Sequence, residues 1–220
     1  MNEVAAAVEA RPAVIVRRMG LMEYEPLWRA MQQFTEERDA ATADEIWFTE
    51  HPPVFTLGMN ASAQHLLAPG DIPVFQIDRG GQVTYHGPGQ LMIYPLIDLR
   101  RSSLGVRDLV TALEQAAVAT ITGYGLAACS RPDAPGVYTD GKKIASVGLR
   151  VRRGASFHGM AFNVAMDLEP FCRINPCGFS NLQVTDLRSL GVTANLAEVR
   201  ERMSAELQRQ LWGGSPARND

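Results

Sequence analysis

Two turn signals standing close together, Asp140-Gly141 and Arg152-Arg153-Gly154, limit the fold of this chain more than any other feature. Asp-Gly between strand-like runs favours a two-residue hairpin loop, because that turn needs left-handed backbone which these residues tolerate. The runs are present: Val137-Tyr138 on one side and the alternating Lys143 to Val151 on the other. The second turn leads into a further strand over Phe157 to Val164. Strands joined by tight turns are antiparallel, whereas a doubly wound parallel sheet needs a crossover between neighbours. The chain is thereby steered towards an α+β fold.

The remaining segments agree with a mixed β-sheet flanked by helices. Val14 to Arg17, Glu45 to Thr49, Val54 to Leu57, Ile72 to Ile77 and Leu91 to Leu99 read as strands. Apolar residues recur at helical spacing from Leu21 to Arg38 (Tyr24, Leu27, Trp28, Met31, Phe34), from Val106 to Thr120, and from Ala194 to Trp212. Each stretch predicts an amphipathic helix. Residues 63–67 suit a turn of helix, and residues 167–192 are irregular and rich in proline. With 220 residues, 46% of them hydrophobic, the chain can bury one sizeable core. A single catalytic domain over 1–220 is expected, with 1–11 and 213–220 as loose tails. A net charge of −3 with 20% charged residues lacks the basic excess that nucleic-acid binding leaves. No apolar run reaches the roughly 18 residues of a membrane span, and the first ten residues lack the basic start and apolar core of a signal peptide. Cys129, Cys172 and Cys177 are odd in number and irregular in spacing, unlike a disulfide framework or a zinc site. A reducing, cytoplasmic setting and a monomer are expected.

The chemistry is concentrated in a few places. Arg79 to Gln90 packs glycines, Arg79, Tyr85 and His86 between strand-like runs, which suits close backbone approach to a ligand; a plain glycine-rich hairpin is the simpler alternative. Gly136 to Lys143 matches the first part of a phosphate loop and then fails. Lys143 stands where Ser or Thr is required, and a strand pattern follows in place of a helix. No dinucleotide-binding glycine fingerprint follows a strand either. Lys143 opens a strand with buried alternate positions and is a candidate base; a surface lysine with its stem on apolar neighbours is the alternative. Cys177, framed by Pro176 and Gly178, is a candidate thiol nucleophile, or a small buried hydrophobe. His86 and His158, each before a glycine, suit hydrogen bonds within loops or the lining of a pocket better than a zinc site, since no fourth ligand is identifiable. His51, before two prolines, reads as structural.

Taken together, RGGQVTYHGPGQ (79–90), GKKIASVGLRVRRGASFHGMAFNVAMDL (141–168) and RINPCG (173–178) resemble the lipoyl(octanoyl) transferase family, and DEIWFTEHPPVFTLG (44–58) matches as well. The similarity runs from about residue 12 to residue 190 in the same order. It implies the fold shared by biotin protein ligases and lipoate–protein ligases. It implies an acyltransferase of protein lipoylation, moving an octanoyl or lipoyl group from acyl carrier protein to a lysine of lipoyl domains. Acceptors in the family are E2 subunits of 2-oxoacid dehydrogenases and the glycine-cleavage H protein. The family's nucleophile falls on Cys177 and its lysine on Lys143. Its substrate-binding segments fall on Arg79, Gly80, Gly81, Gln82, Val83, Thr84, Tyr85 and His86, on Ser146, Val147 and Gly148, and on Gly159, Met160 and Ala161. No cofactor, no ATP and no metal are expected, the acyl group arriving on the carrier's phosphopantetheine. Arg79, Arg150, Arg152 and Arg153 are the basic residues to which acidic carrier and acceptor domains would dock.

Overall fold

The computed structural model describes residues 14–176, 182–213 and 218–219. Within them the strands are β1 (Ile15–Leu21), β2 (Glu45–Glu50), β3 (Val54–Leu57), β4 (Val74–Gln76), β5 (Val83–His86), β6 (Gln90–Leu96), β7 (Cys129–Ser130), β8 (Gly136–Thr139), β9 (Lys142–Arg152), β10 (Ala155–Asn163) and β11 (Arg218–Asn219). The helices are α1 (Tyr24–Glu37), α2 (Val106–Thr122) and α3 (Leu196–Trp212). Eight strands form one sheet in the order β11-β1-β2-β6-β10-β9-β8-β7, and β4-β3-β5 form a second, smaller sheet. The large sheet is mixed: β1 lies parallel to β2 and β11, and the strands from β2 to β7 pair antiparallel.

Both expected turns form as hairpins. Asp140 and Gly141 have φ of 48° and 74°, and Arg153 and Gly154 have φ of 54° and 87°. Left-handed backbone at both central positions matches the twist of the flanking strands. Arg152 therefore pairs with Ala155 and Phe162 with Ala145 along one continuous ladder.

The central strands are buried on both faces, so alternate side chains serve two cores. On β2 and β6, Ile46, Phe48, Leu91 and Ile93 face α2 and α3, where Leu109, Leu113, Val199, Met203 and Leu207 close the larger core. Trp47, Met92, Tyr94 and Leu96 turn the other way and pack under Leu27, Trp28 and Met31 of α1. A third cluster, Phe55, Leu57, Val83, Tyr85, Phe171 and Ile174, backs the small sheet. Helix α3 starts on a capping box, with Asn195 Oδ1 accepting from the Glu198 N–H at 2.9 Å, and ends at left-handed Gly213.

Two segments differ from expectation. Residues 79–90 are not all loop, because Val83–His86 pair with Val54–Leu57. Arg218 and Asn219, placed in a loose tail by composition, pair beside Ile15 and Val16.

Candidate active site

A cavity opens between the two sheets on the α1 side. The small sheet and its leading loop contribute Arg79, Gly81, Gln82, Val83, Thr84 and His86; β9 contributes Ser146, Val147 and Gly148, and β10 contributes Gly159, Met160 and Ala161. Three sequence segments far apart in the chain thus meet around one space. Two of the expected binding residues do not border it. Gly80 donates its N–H to Leu149 O at 3.0 Å and stitches the loop to β9. Tyr85 points to the opposite face of β5, where its ring sits 5.4 Å from that of Phe55 and 5.6 Å from that of Phe171.

Tyr24, Met92, Tyr94 and His158 complete the lining. The first three carry apolar-periodic signals that are indistinguishable from ordinary core positions, and His158 before a glycine reads as a loop, pocket or metal residue. His158 takes φ of 56°, a left-handed conformation uncommon outside glycine. Its neighbour Gly159 serves the strand pairing more than the cavity, since a Cβ there would meet Ile93 O at 2.0 Å.

The cavity's electrostatics are set by one buried cation and neutral imidazoles. Arg79 is buried and donates from Nη2 to Thr56 O at 2.7 Å and Thr56 Oγ1 at 2.9 Å, and from Nη1 to Gly80 O at 2.9 Å. It is a wall of the cavity and is unsuited to an external docking patch. Burial pushes the His86 imidazole well below its ordinary pKa, and the charge of Arg79 adds to this. Burial likewise lowers His158 against the pull of Asp78, and takes His51 down to about 4. Burial pushes Asp78 up, but hydrogen bonds from His158, Trp28 and Gln32 outweigh it and hold the carboxyl well below the usual range. His51 is structural as expected: Nδ1 lies 2.6 Å from Met22 O and Nε2 2.8 Å from Tyr94 Oη. The carbonyl requires the proton on Nδ1, so Tyr94 donates to Nε2.

A chain of buried polar groups leaves this cavity and ends at Lys143. Thr56 Oγ1 meets His86 Nε2 at 3.1 Å, and His86 Nδ1 meets Gln90 Oε1 at 2.8 Å. Gln90 Nε2 donates to Asn163 Oδ1, and Asn163 Nδ2 donates to Thr185 O, each at 2.9 Å. Thr185 N–H donates to Lys143 O at 3.0 Å, while Lys143 N–H donates to Gln183 O at 2.8 Å. Every member lies on a strand of one of the sheets or on the segment bridged to β9 at Val184.

Lys143 itself is 2% exposed, so the surface-lysine alternative does not hold. Its Nζ donates to Pro135 O at 3.0 Å and stands 5.4 Å from the centre of the Tyr138 ring. The register of β8 against β9 shifts between Val137 and Tyr138. A bulge of this kind re-aims a side chain, and Lys143 does not border the cavity lined by Ser146 to Gly148 farther along its own strand. Cys177 and Gly178 lie outside the described residues. The chain on either side of them, at Pro176 and Leu182, borders a second hollow that also takes in Lys142, Cys172 and Val184. Among the described residues no three His, Cys, Asp or Glu side chains are grouped to hold a metal ion, and no helix is long and apolar enough to cross a membrane. Of the outer arginines, Arg152 pairs with Glu36 at 2.7 Å and Arg153 donates to Glu36 O at 2.7 Å.

Comparison with known proteins identifies the family. Residues 23–208 match the family model described as the lipoyl protein ligase A/B catalytic domain. The chain is 58% identical over 196 residues to a protein of Hahella chejuensis named octanoyltransferase, covering 89% of this chain and 88% of that one. A bi-partite lipoate protein ligase of Thermoplasma acidophilum superposes with a TM-score of 0.74 at 16% identity, over 96% of this chain and 86% of that one. The biotin protein ligase of Aquifex aeolicus does so at 0.51 and 11%, over 90% and 68%. The low identities of the two structures speak to the fold alone, whereas the family model and the close relative settle kinship: this chain belongs to the lipoyl protein ligase A/B catalytic domain family, on its octanoyltransferase branch.

Proposed function

We propose that this enzyme moves an octanoyl group from the thioester of an acyl carrier protein to the acceptor lysine of lipoyl domains, through a thioester on Cys177. The observation that carries the reading is the buried Lys143, whose backbone is joined through Gln183 and Thr185 to the segment that follows Cys177 in sequence. In the first half-reaction the Lys143 ammonium holds the proton of the Cys177 thiol and stands paired with the thiolate. The thiolate attacks the donor carbonyl, the new S–C bond forms, and the carrier sulfur leaves and takes that proton from Lys143. In the second, the acceptor amine attacks the acyl-enzyme, its proton passes to Lys143, and the Cys177 sulfur leaves. Exchange between thioesters is nearly isoenergetic and amide formation is downhill, so the sequence of steps needs no ATP. An activated thiol acting in two halves gives ping-pong kinetics. The acyl chain lies in the cavity against Val83, Met92, Val147, Met160 and Ala161. Burial of each methylene there contributes roughly 0.8 kcal/mol. Lipoyl domains of 2-oxoacid dehydrogenases and the glycine-cleavage H protein are the acceptors of this reading, in the cytoplasm.

Intact-protein mass spectrometry after mixing with octanoyl-carrier protein, without ATP, tests it. The expected result is one added octanoyl mass, absent in Cys177→Ser and removed by a lipoyl domain. Modification of the lipoyl domain from free octanoate only when ATP is supplied would overturn the transferase reading in favour of a ligase.

A further inference from the structure

One peptide group next to Lys143 is held by charge at both ends. The Pro135 carbonyl accepts from Lys143 Nζ at 3.0 Å, and the Gly136 N–H donates to Glu114 Oε1 at 2.7 Å. These two atoms belong to a single amide. Carboxylate, amide and ammonium therefore stand in series, joined by two hydrogen bonds. Charge-assisted hydrogen bonds are shorter and stronger than neutral ones, and hydrogen bonds in series polarise one another. A carboxylate on the N–H makes the carbonyl of the same amide a better acceptor for the ammonium.

The surroundings are built to keep this arrangement. Gly136 has φ of 133°, and a Cβ on it would come 2.4 Å from Ala145 O and 3.0 Å from Lys143 Cε. The peptide is thus laid against β9 at the lysine, where only glycine fits. The register shift between β8 and β9 falls at the same place. Glu114 projects from the buried side of α2, between Leu113 and Ala117, and is 9% exposed. A carboxylate there is costly to bury unless it is paired. Burial pushes its carboxyl up, and the Gly136 N–H and the charge of Lys143 act against that. The ring of Tyr138 faces Lys143 from β8, with Arg131 stacked 5.0 Å from that ring. Nothing in the motifs of the sequence singles out residue 114, because an acidic residue within a helical stretch reads as a solvated face.

We infer that Glu114 is a positioning residue for Lys143: through the shared Pro135–Gly136 amide it fixes where the ammonium sits and balances its charge during proton transfer. This rests on the proposed role of Lys143, and the experiment separates the two. Glu114→Gln keeps an acceptor for the Gly136 N–H and removes the charge; Glu114→Asp keeps the charge. In Glu114→Gln the rate of acyl-enzyme formation and kcat are expected to fall roughly tenfold, about 1.4 kcal/mol in the transition state, with KM for the carrier and the melting temperature unchanged. Glu114→Asp is expected to recover most of that loss. In a Lys143→Met background, the added Glu114→Gln change is expected to cost nothing further in the residual rate, as for two groups acting as one unit. A wild-type kcat in Glu114→Gln, or an equal tenfold loss in both backgrounds, would overturn the inference and leave Lys143 untouched. Wild-type activity in Lys143→Met would remove the proposed role of the lysine, and with it the basis for Glu114.

Discussion

Gln90 shows how much a single buried amide can hold. It takes His86 on one side and Asn163 on the other, and is 1% exposed. Replacement by leucine leaves an imidazole N–H and an amide oxygen without their partner, and each orphaned buried group costs about 1–3 kcal/mol. For a chain of this size about 1 kcal/mol shifts the melting temperature by roughly 2–4 °C. Gln90→Leu is therefore expected to melt at least about 5 °C lower by calorimetry; an unchanged melting temperature would show that the chain from His86 to Thr185 holds nothing. At this scale the motif residues were legible because glycine, arginine and histidine crowd into short stretches. Tyr24, Tyr94 and Glu114 were not, because aromatic and acidic side chains at helical or strand spacing look the same in a core, on a surface and in a site. Lys143 sat between the two cases. Its place at the head of β9 was readable, but its burial depends on a bulge that no alternation pattern records.

Among the elements, β10 does the most to shape the cavity. Ala161 lies on its inner face, 5% exposed, across from Ser146 of β9 and Met92 of β6. A larger side chain there shortens the space left for an acyl chain. Ala161→Leu is expected to lower kcat/KM for an octanoyl donor relative to a hexanoyl donor, by about fourfold for each methylene excluded. A competition assay between the two donors measures the ratio, and an unchanged ratio would place the acyl chain elsewhere. The hairpins of β8, β9 and β10 could be read from sequence because their turns are local. Strand β5 could not. It spans only Val83 to His86 between glycine-rich flanks, and its partner β3 lies beyond β4 in the chain. The parallel pairings of β1 with β2 and of β3 with β4 leave no mark in either strand's own pattern, and the same holds for the pairing at Arg218.

For the whole molecule, the buried histidines set the acid limit. His51, His86 and His158 all have folded-state pKa values below the ordinary 6.5, with burial the first cause in each. Below about pH 6.5 the unfolded chain binds protons that the folded chain refuses, so stability falls as pH falls. For His51 the loss runs from 6.5 down to about 4, at about 1.4 kcal/mol per pH unit once fully linked. Asp78 adds its own loss in more acidic solution, because its folded pKa is depressed below 3.8. Thermal denaturation is expected to show a plateau above neutrality and a steep decline between about pH 6.5 and about pH 4. A flat profile across that window would mean that the imidazoles are charged in the folded protein.

The placement of the cavity between two sheets also bears on the order in which the chain organises itself. Hairpins close short loops and form early, whereas contacts between distant segments wait for the entropy of larger loops to be overcome. Strands β8 to β10 are contiguous, but the cavity they help to wall also needs Tyr24 of α1 and Arg79 to His86 from the small sheet. The scaffold under Lys143 is thus expected to gain protection from hydrogen exchange during refolding before the ligand-facing wall does. A newly made chain would hold its meander before it can hold an acyl group.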